Sequence, residues 1–455
     1  MNILSVNPAD NTINKKYKAH TFKQVQQIIG QTHRAWQNWR FSTFKERSAL
    51  LNKLADVLTQ HKTQLARLMA LEMGKPLKQG IAEIEKCAAV CIYYADNAEG
   101  FLKDQLIETD ASKSYATFQP LGVVLAVMPW NFPFWQVFRF LAPALAAGNC
   151  GVLKHASNVP GCALAIGDMV KEAGFPNHVF QTLLISNTEV AAVIANPHIK
   201  AVTLTGSNAA GSKVAQKAGE LIKKTVMELG GSDAYLILED ADLNLAAEAC
   251  VNSRLINGGQ SCIAAKRFIV VKPVEKEFTR LFLQKMQAKK MGDPLQNGTD
   301  IGPQARVDLR DELHHQVQKS IAKGAKCILG GKVPVGNGAY YPPTILTHVK
   351  KGMPAFDEEM FGPVAAIISA KDEAHALTLA NDSIFGLGAA VFTKNKKRGE
   401  CIAATQLEAG SCFVNALVKS DPRLPFGGIK QSGYGRELGM FGIHEFVNIK
   451  TVFVA

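Results

Sequence analysis

The run Gly122-Val123-Val124-Leu125-Ala126-Val127 is apolar throughout, and it stops at Pro129-Trp130-Asn131-Phe132-Pro133, where a helical pattern takes over. A strand with no polar alternation is buried on both faces, which is the habit of parallel sheets covered by helices. The unit recurs. Cys150-Gly151-Val152-Leu153-Lys154, residues 179–184, 200–204, the run ending at Glu228, and 234–238 all read as short buried strands followed by polar turns and helices. Further strands are expected at 268–271, 326–329, 364–369, 389–393 and 411–414, again with helices between them. Such alternation leaves few architectures other than α/β with doubly wound sheets, and its second run predicts a second α/β domain. Ligands of such sheets are met where a strand gives way to a helix. Residues 21–104 carry helical periodicity with a break near Gly74-Lys75-Pro76. Residues 1–20 read as extended, 105–120 as a β-hairpin and 446–454 as a final apolar strand. A terminal strand of that kind is an exposed edge unless paired, so pairing across a subunit contact is expected.

Composition narrows the function classes. The net charge is +12, but the lysines are scattered and no basic-aromatic interleaving of the RNA-binding kind occurs. The expectation is a solvated basic surface that favours anionic ligands, with no nucleic-acid and no membrane partner. The longest apolar stretch, 140–153, is interrupted by Pro143, Gly148 and Asn149, and the first twenty residues lack the apolar core of a signal peptide. Nine cysteines at irregular spacing form neither a disulfide framework nor a zinc pattern, which points to reduced thiols and a cytoplasmic location.

One cysteine stands apart. Asn257-Gly258-Gly259-Gln260-Ser261-Cys262-Ile263-Ala264 places a thiol beside two glycines in a polar turn, just before the apolar run Phe268–Val271. Glycines allow close backbone approach, and a thiol on such a turn is a candidate nucleophile, although free cysteines are more often buried packing residues. Upstream, Glu228 ends an apolar strand and precedes Gly230-Gly231, where low-dielectric surroundings raise a carboxylate toward general-base range; a surface glutamate at a turn is the ordinary alternative. Asn131, Trp135 and Arg139 are spaced by four and are expected on one helix face. Arg139, alone among apolar neighbours, requires an anion, either a carboxylate of the protein or one on a substrate. Thr205-Gly206-Ser207-Asn208-Ala209-Ala210-Gly211 reads as a phosphate cradle opening a helix, though it is not GxGxxG.

Taken together, the chain resembles the aldehyde dehydrogenase superfamily over essentially its whole length, most closely the short succinate-semialdehyde dehydrogenases. The resemblance is carried, in order, by Pro129-Trp130-Asn131-Phe132-Pro133, the Lys154 turn, Gly206-Ser207…Gly211, Glu228-Leu229-Gly230-Gly231, Gly259-Gln260-Ser261-Cys262, Glu358-Glu359-Met360-Phe361-Gly362-Pro363-Val364 and Pro425-Phe426-Gly427-Gly428. Phe134–Phe140 and Lys154–Pro160 carry the closer match. It implies a Rossmann-like cofactor domain (1–104 and 121–228), an α/β catalytic domain (229–430) and a small β oligomerisation element (105–120 and 431–455), assembled as a homodimer or homotetramer. It implies Cys262 as nucleophile, Glu228 as base and Asn131 with the Cys262 N–H as oxyanion donors. Trp130, Lys154, Ser157, Gly206, Ser207, Glu359 and Phe361 would bind the cofactor. Where the family carries a glutamate that grips the adenosine ribose, this chain has Ser157. NADP is therefore expected to be preferred and NAD accepted; a bare helix-capping role for Ser157 is the alternative. For the substrate, Arg139 and Ser420 are expected to anchor a carboxylate, Trp135 to form an apolar wall, and Ser261 and Ile263 to flank the reacting carbon. No metal is expected. The alternatives are a dehydrogenase of another short carboxylated aldehyde, a CoA-acylating relative, which the presence of Glu228 disfavours, and a non-catalytic member of the fold.

Overall fold

The computed structural model describes Asn2–Ala455, and two separate β-sheets form its frame. The first has the order Gly433–Tyr434, Lys224–Glu228, Ile199–Thr205, Val123–Met128, Cys150–His155, Phe180–Thr182. All of its strands run parallel except Gly433–Tyr434. The chain lays down Val123–Met128 first, adds two strands on one side, then crosses over and adds Ile199–Thr205 on the other. The switch point therefore lies between Val123–Met128 and Ile199–Thr205, where the turns at the two carboxyl ends diverge and open a crevice. Those turns are Pro129–Pro133 and Gly206-Ser207.

The second sheet runs Lys326–Leu329, Thr344–Thr347, Val364–Ala370, Arg267–Val271, Ala234–Ile237, Gly388–Phe392, Ser411–Val414. Only Lys326–Leu329 is antiparallel. Successive residues of the strand Ala234–Ile237 feed opposite cores. Ala234 and Leu236 pack on one side with Met360 and Phe356, while Tyr235 and Ile237 pack on the other with Phe268 and Phe282. Strands buried on both faces are what an uninterrupted apolar run produces.

The helices Phe22–Trp39, Phe44–Met73 and Leu77–Phe101 pack largely on the first sheet. The second and third are separated because Gly74 takes φ +78 and a Cβ there would stand 2.7 Å from the Pro303 side chain. Pro76, with no N–H to offer, then opens the next helix.

Two expectations change. The final strand, Val447–Val454, pairs along its full length with Lys113–Pro120 of its own chain, so one edge is covered without a second subunit. Its other edge has no strand partner among the described residues, and Ile449, Phe453 and Val454 are exposed on it. Second, Gly433–Tyr434 lies outside the small β element assigned to 431–455 and completes the first sheet against Met227 and Glu228. A Cβ at Gly433 would lie 1.9 Å from the Met227 carbonyl oxygen, so glycine alone permits that pairing. The short strand Thr344–Thr347 has no counterpart in the sequence reading, because its two apolar residues are too few to show a pattern.

Candidate active site

Asn131 sits in the turn before the helix Trp135–Ala146, not on the same helix face as Trp135 and Arg139. The two prolines that bracket the turn explain this, since residues ahead of a proline are driven out of the α region. The turn is held from below by Glu83, whose Oε1 accepts the N–H groups of Phe134 at 2.9 Å and Trp135 at 3.0 Å. A carboxylate at a helix N-terminus satisfies orphan donors and complements the helix dipole. Lys75 pairs with Glu83 and lies 3.9 Å from the Phe132 ring centroid. Sequence reading passed over Lys75 and Glu83, because an ion pair between a turn and the helix after it does not show in apolar periodicity.

Cys262 lies on the loop between the helix Leu243–Leu255 and the strand Arg267–Val271. Asn257, Gly258 and Gly259 all take positive φ there, and a Cβ on Gly259 would stand 2.2 Å from the Gly362 oxygen. The loop is laced to Asn131. Asn131 Nδ2 donates to the Gln260 carbonyl at 3.1 Å, and Asn257 Nδ2 donates to the Asn131 carbonyl at 2.6 Å. One amide N–H of Asn131 remains free, as does the Cys262 N–H, which meets no acceptor among the described residues. Lys266, also unremarked in the sequence, is wholly buried and donates to the carbonyls of Ser261 at 2.9 Å and Cys262 at 2.7 Å. It tethers the nucleophile's loop from behind.

Cys262 and Asn131 line one cleft of about 490 Å³, together with Trp130, Gly206, Glu359 and Phe361. A neighbouring cleft of about 830 Å³ shares Trp130, Gly206 and Ser207 and continues past Lys154 and Ser157. The sequence-derived residues thus converge from both sheets: Asn131, Gly206 and Ser207 from carboxyl ends of the first, Cys262 and Glu359 from loops of the second. Trp130 and Phe361 meet edge to face at 5.7 Å between centroids. Glu359 accepts the Gly231 N–H at 3.0 Å. Ser207 caps the helix Asn208–Gly219. Ser157 caps nothing: the helix beginning at Pro160 has Val159 at its cap position, which leaves Ser157 exposed in the cleft. Lys154 is buried and donates to Asn187, and burial holds its ammonium down at about 8.

Glu228 is 1 % exposed, and neither carboxylate oxygen has a hydrogen-bond partner. Burial, opposed by Arg139 and reinforced by Glu437, raises it to about 8. The Cys262 thiol is pushed up to about 12, first by burial, against which Arg139 acts, and then by Glu228. Burial thus pushes both groups toward their neutral forms in the resting site.

Arg139 has a partner inside the protein. It is 2 % exposed, and its Nε stands 2.7 Å from Glu437 Oε2, while Nη2 donates to Thr205 Oγ1 at 3.3 Å. Its anion is a carboxylate of the protein. Arg139→Ala is expected to lower stability by about 3–5 kcal/mol, because it strands a buried Glu437. Urea denaturation checks this, and adding Glu437→Gln should recover part of the loss. Ser420 and Trp135 are buried and hydrogen-bonded to one another at 3.0 Å, so Trp135 offers a polar N–H as well as an apolar wall. Ser261 is buried and half-buried Ile263 packs into the apolar core; neither lines the two clefts.

A cleft between a nucleotide-type sheet and a second α/β sheet, lined by a thiol and a free amide, with a buried carboxylate near enough for its charge to act on that thiol, is the plan of an aldehyde dehydrogenase. The aldehyde dehydrogenase family profile matches residues 1–452, and the chain belongs to that family. It has the family's fold and is an NAD(P)-dependent enzyme of that class. Among its relatives, a probable NADP(+) succinate-semialdehyde dehydrogenase of Synechocystis is 50% identical over 455 residues, 100% of both chains. The Escherichia coli succinate semialdehyde dehydrogenase [NAD(P)+] Sad is 47% identical across 92% of this chain and 90% of its own. The crystal structure of succinic semialdehyde dehydrogenase from Streptococcus pyogenes, in complex with NADP+, superposes with a TM-score of 0.97 at 36% identity, covering 99% of each chain. Among the described residues no helix is long and apolar enough to cross a membrane, and no three His, Cys, Asp or Glu side chains gather as metal ligands.

Proposed function

We propose that this chain oxidises succinate semialdehyde to succinate with NADP as the preferred cofactor and NAD as a weaker one. The observation that carries the chemistry is the half-buried Cys262 on the cleft floor with Asn131, beside a Glu228 carboxyl that has no partner within the protein. The substrate assignment rests on full-length relatives that carry that activity in their names.

The residues present fit NADP. The adenosine end of the cleft presents the Lys154 cation and a small neutral Ser157, and both polar atoms of the Asn158 amide there are buried without partners. Lys154, Ser157 and Ser207 would hold the phosphates and ribose; Glu359, Phe361 and Trp130 would hold the nicotinamide end. When bound, the cofactor supplies the hydride acceptor. The protein does the rest. Cys262 gives up its proton to water in the cleft, and its Sγ attacks the aldehyde carbon to form a thiohemiacetal oxyanion, which the free amide N–H of Asn131 and the Cys262 N–H hold. Each such donor is worth roughly 3 kcal/mol in the transition state. Oxidation leaves a thioester on Cys262. Glu228 takes a proton from water, the water attacks the thioester carbon, succinate leaves, and the sulfur is restored.

The unit boundaries follow the sheets, with Gly433–Tyr434 joining the cofactor unit. The uncovered edge of Val447–Val454, with its exposed apolar side chains, is where a homo-oligomer would form. Nine free cysteines fit a reducing cytoplasm.

The test is kcat/KM for succinate semialdehyde and butanal, each with NADP and with NAD, on the wild type and Ser157→Glu. The expected result is preference for the carboxylated aldehyde and for NADP, with Ser157→Glu reversing the cofactor preference by repelling the 2′-phosphate. Equal use of both aldehydes refutes the substrate; an unchanged cofactor ratio in Ser157→Glu refutes the cofactor argument.

A further inference from the structure

The strength and direction of the Cys262 N–H are set from behind the cleft. We propose that Lys266 is a positioning residue for the oxyanion: by hydrogen bonding to the peptide group between Ser261 and Cys262, it aims and polarises the Cys262 N–H. This rests on the reading that Cys262 is the nucleophile.

Lys266 directly precedes the strand Arg267–Val271. Its backbone N–H donates to the Asp233 carbonyl at 3.1 Å, and its carbonyl accepts the Ala366 N–H at 3.0 Å. From that fixed base the side chain turns back along the cysteine loop. Nζ donates to the carbonyls of Ser261 at 2.9 Å and Cys262 at 2.7 Å, which belong to the two peptide groups flanking the nucleophile. The Ser261 carbonyl and the Cys262 N–H share one peptide plane. In a trans peptide, the state of every described bond, they point in opposite directions. With the oxygen held by buried Lys266, the N–H is directed away from it. That N–H meets no acceptor among the described residues, and Cys262 lines the cleft.

A carbonyl that accepts a hydrogen bond draws density from its own peptide nitrogen, so the N–H at the other end becomes a better donor. The effect is largest when the bond is charge-assisted and the surroundings are of low dielectric. Orientation is fixed at the same time. The Cys262 carbonyl has Lys266 on one side and Gly231 on the other, where a Cβ would stand 2.7 Å from that oxygen. The charges around Lys266 are mixed. Burial disfavours its ammonium; Glu359, with Oε1 3.5 Å from Nζ, and Asp233 favour it, and Arg254 opposes them. Even as a neutral amine, Lys266 keeps two N–H bonds for its two carbonyls.

The experiment compares wild type, Lys266→Met and Lys266→Gln in two reactions of the same sulfur. One is oxidation of succinate semialdehyde, with NADP saturating for each variant. The other is alkylation by iodoacetamide, followed on the Cys262 peptide by mass spectrometry. The first passes through an oxyanion; the second expels iodide and forms none. The charge of Lys266 also favours the Cys262 thiolate, an effect common to both reactions. Lys266→Met should therefore lower kcat/KM for the aldehyde about 10- to 100-fold more than it slows alkylation, the scale of a charge-assisted hydrogen bond. Lys266→Gln, which keeps N–H donors without the charge, should lose less, and it carries the same comparison if the methionine variant does not fold. Equal losses in the two reactions would show that Lys266 only holds or charges the sulfur, which overturns the proposal, as does an unchanged kcat/KM. Aldehyde oxidation that survives Cys262→Ala removes instead the nucleophile reading on which the proposal rests.

Discussion

Replacing Cys262 by alanine should abolish aldehyde-dependent NADPH formation, by at least about 10,000-fold, because no second group can take over the covalent step. Cys87, Cys91, Cys150, Cys162 and Cys250 are buried, and none of the other cysteines lines either cleft. The loss should be in kcat and insensitive to aldehyde concentration, while the variant still binds NADP, as fluorescence titration would report. The same geometry predicts how the wild-type sulfur behaves before substrate arrives. A thiol held up at about 12 is almost wholly protonated at neutral pH, so alkylation by iodoacetamide should be slow at pH 7 and accelerate steadily into the alkaline range. Alanine at 262 with turnover within tenfold of wild type would refute the nucleophile and, with it, the thioester route.

Glu228→Gln comes second in size. A general base contributes about 100- to 10,000-fold, and steady-state turnover should fall by that order. Glutamine keeps the shape of the side chain but cannot take a proton from water, so hydrolysis of the thioester should fail first. Rapid mixing should then show one NADPH released per active site, followed by a very slow steady rate. The pH profile carries the sign of the argument. Glu228 is active as base only when ionised, and burial raises it to about 8, so wild-type kcat should climb as pH rises through that value. In Glu228→Gln that limb should flatten. A profile already flat from pH 6 upward in the wild type would mean that Glu228 is ionised at rest, contrary to its partnerless burial.

Much of this was legible in the linear chain, for local reasons. Uniform apolar runs such as Val123–Met128 and Arg267–Val271 announce strands covered on both sides. Turns that must follow them, Pro129–Pro133 and Gly206-Ser207, carry the polar residues, so the places where chemistry is exposed could be read without coordinates. The cysteine turn was visible for a similar reason: Gly259 presses against the Gly362 carbonyl where no side chain fits. What failed was periodicity carried across a turn. A spacing of four put Asn131 on a helix, whereas the prolines hold it one turn ahead of the helix.

By itself, the sequence determined the class of fold, most of the order of strands and helices along the chain, and which residues are candidates for nucleophile, base and amide, since each depends on patterns a few residues long. The tertiary structure alone decided the partners of the buried charges. Nothing near Arg139 in the chain announces Glu437, and only the packing of remote segments brings that carboxylate to it. Lys86 looked like any surface lysine until folding laid it on Trp135 and Ser420, the latter 334 residues away in the chain. A charge takes its meaning from what lies within a few ångströms of it, and distances between remote segments are written in no local pattern.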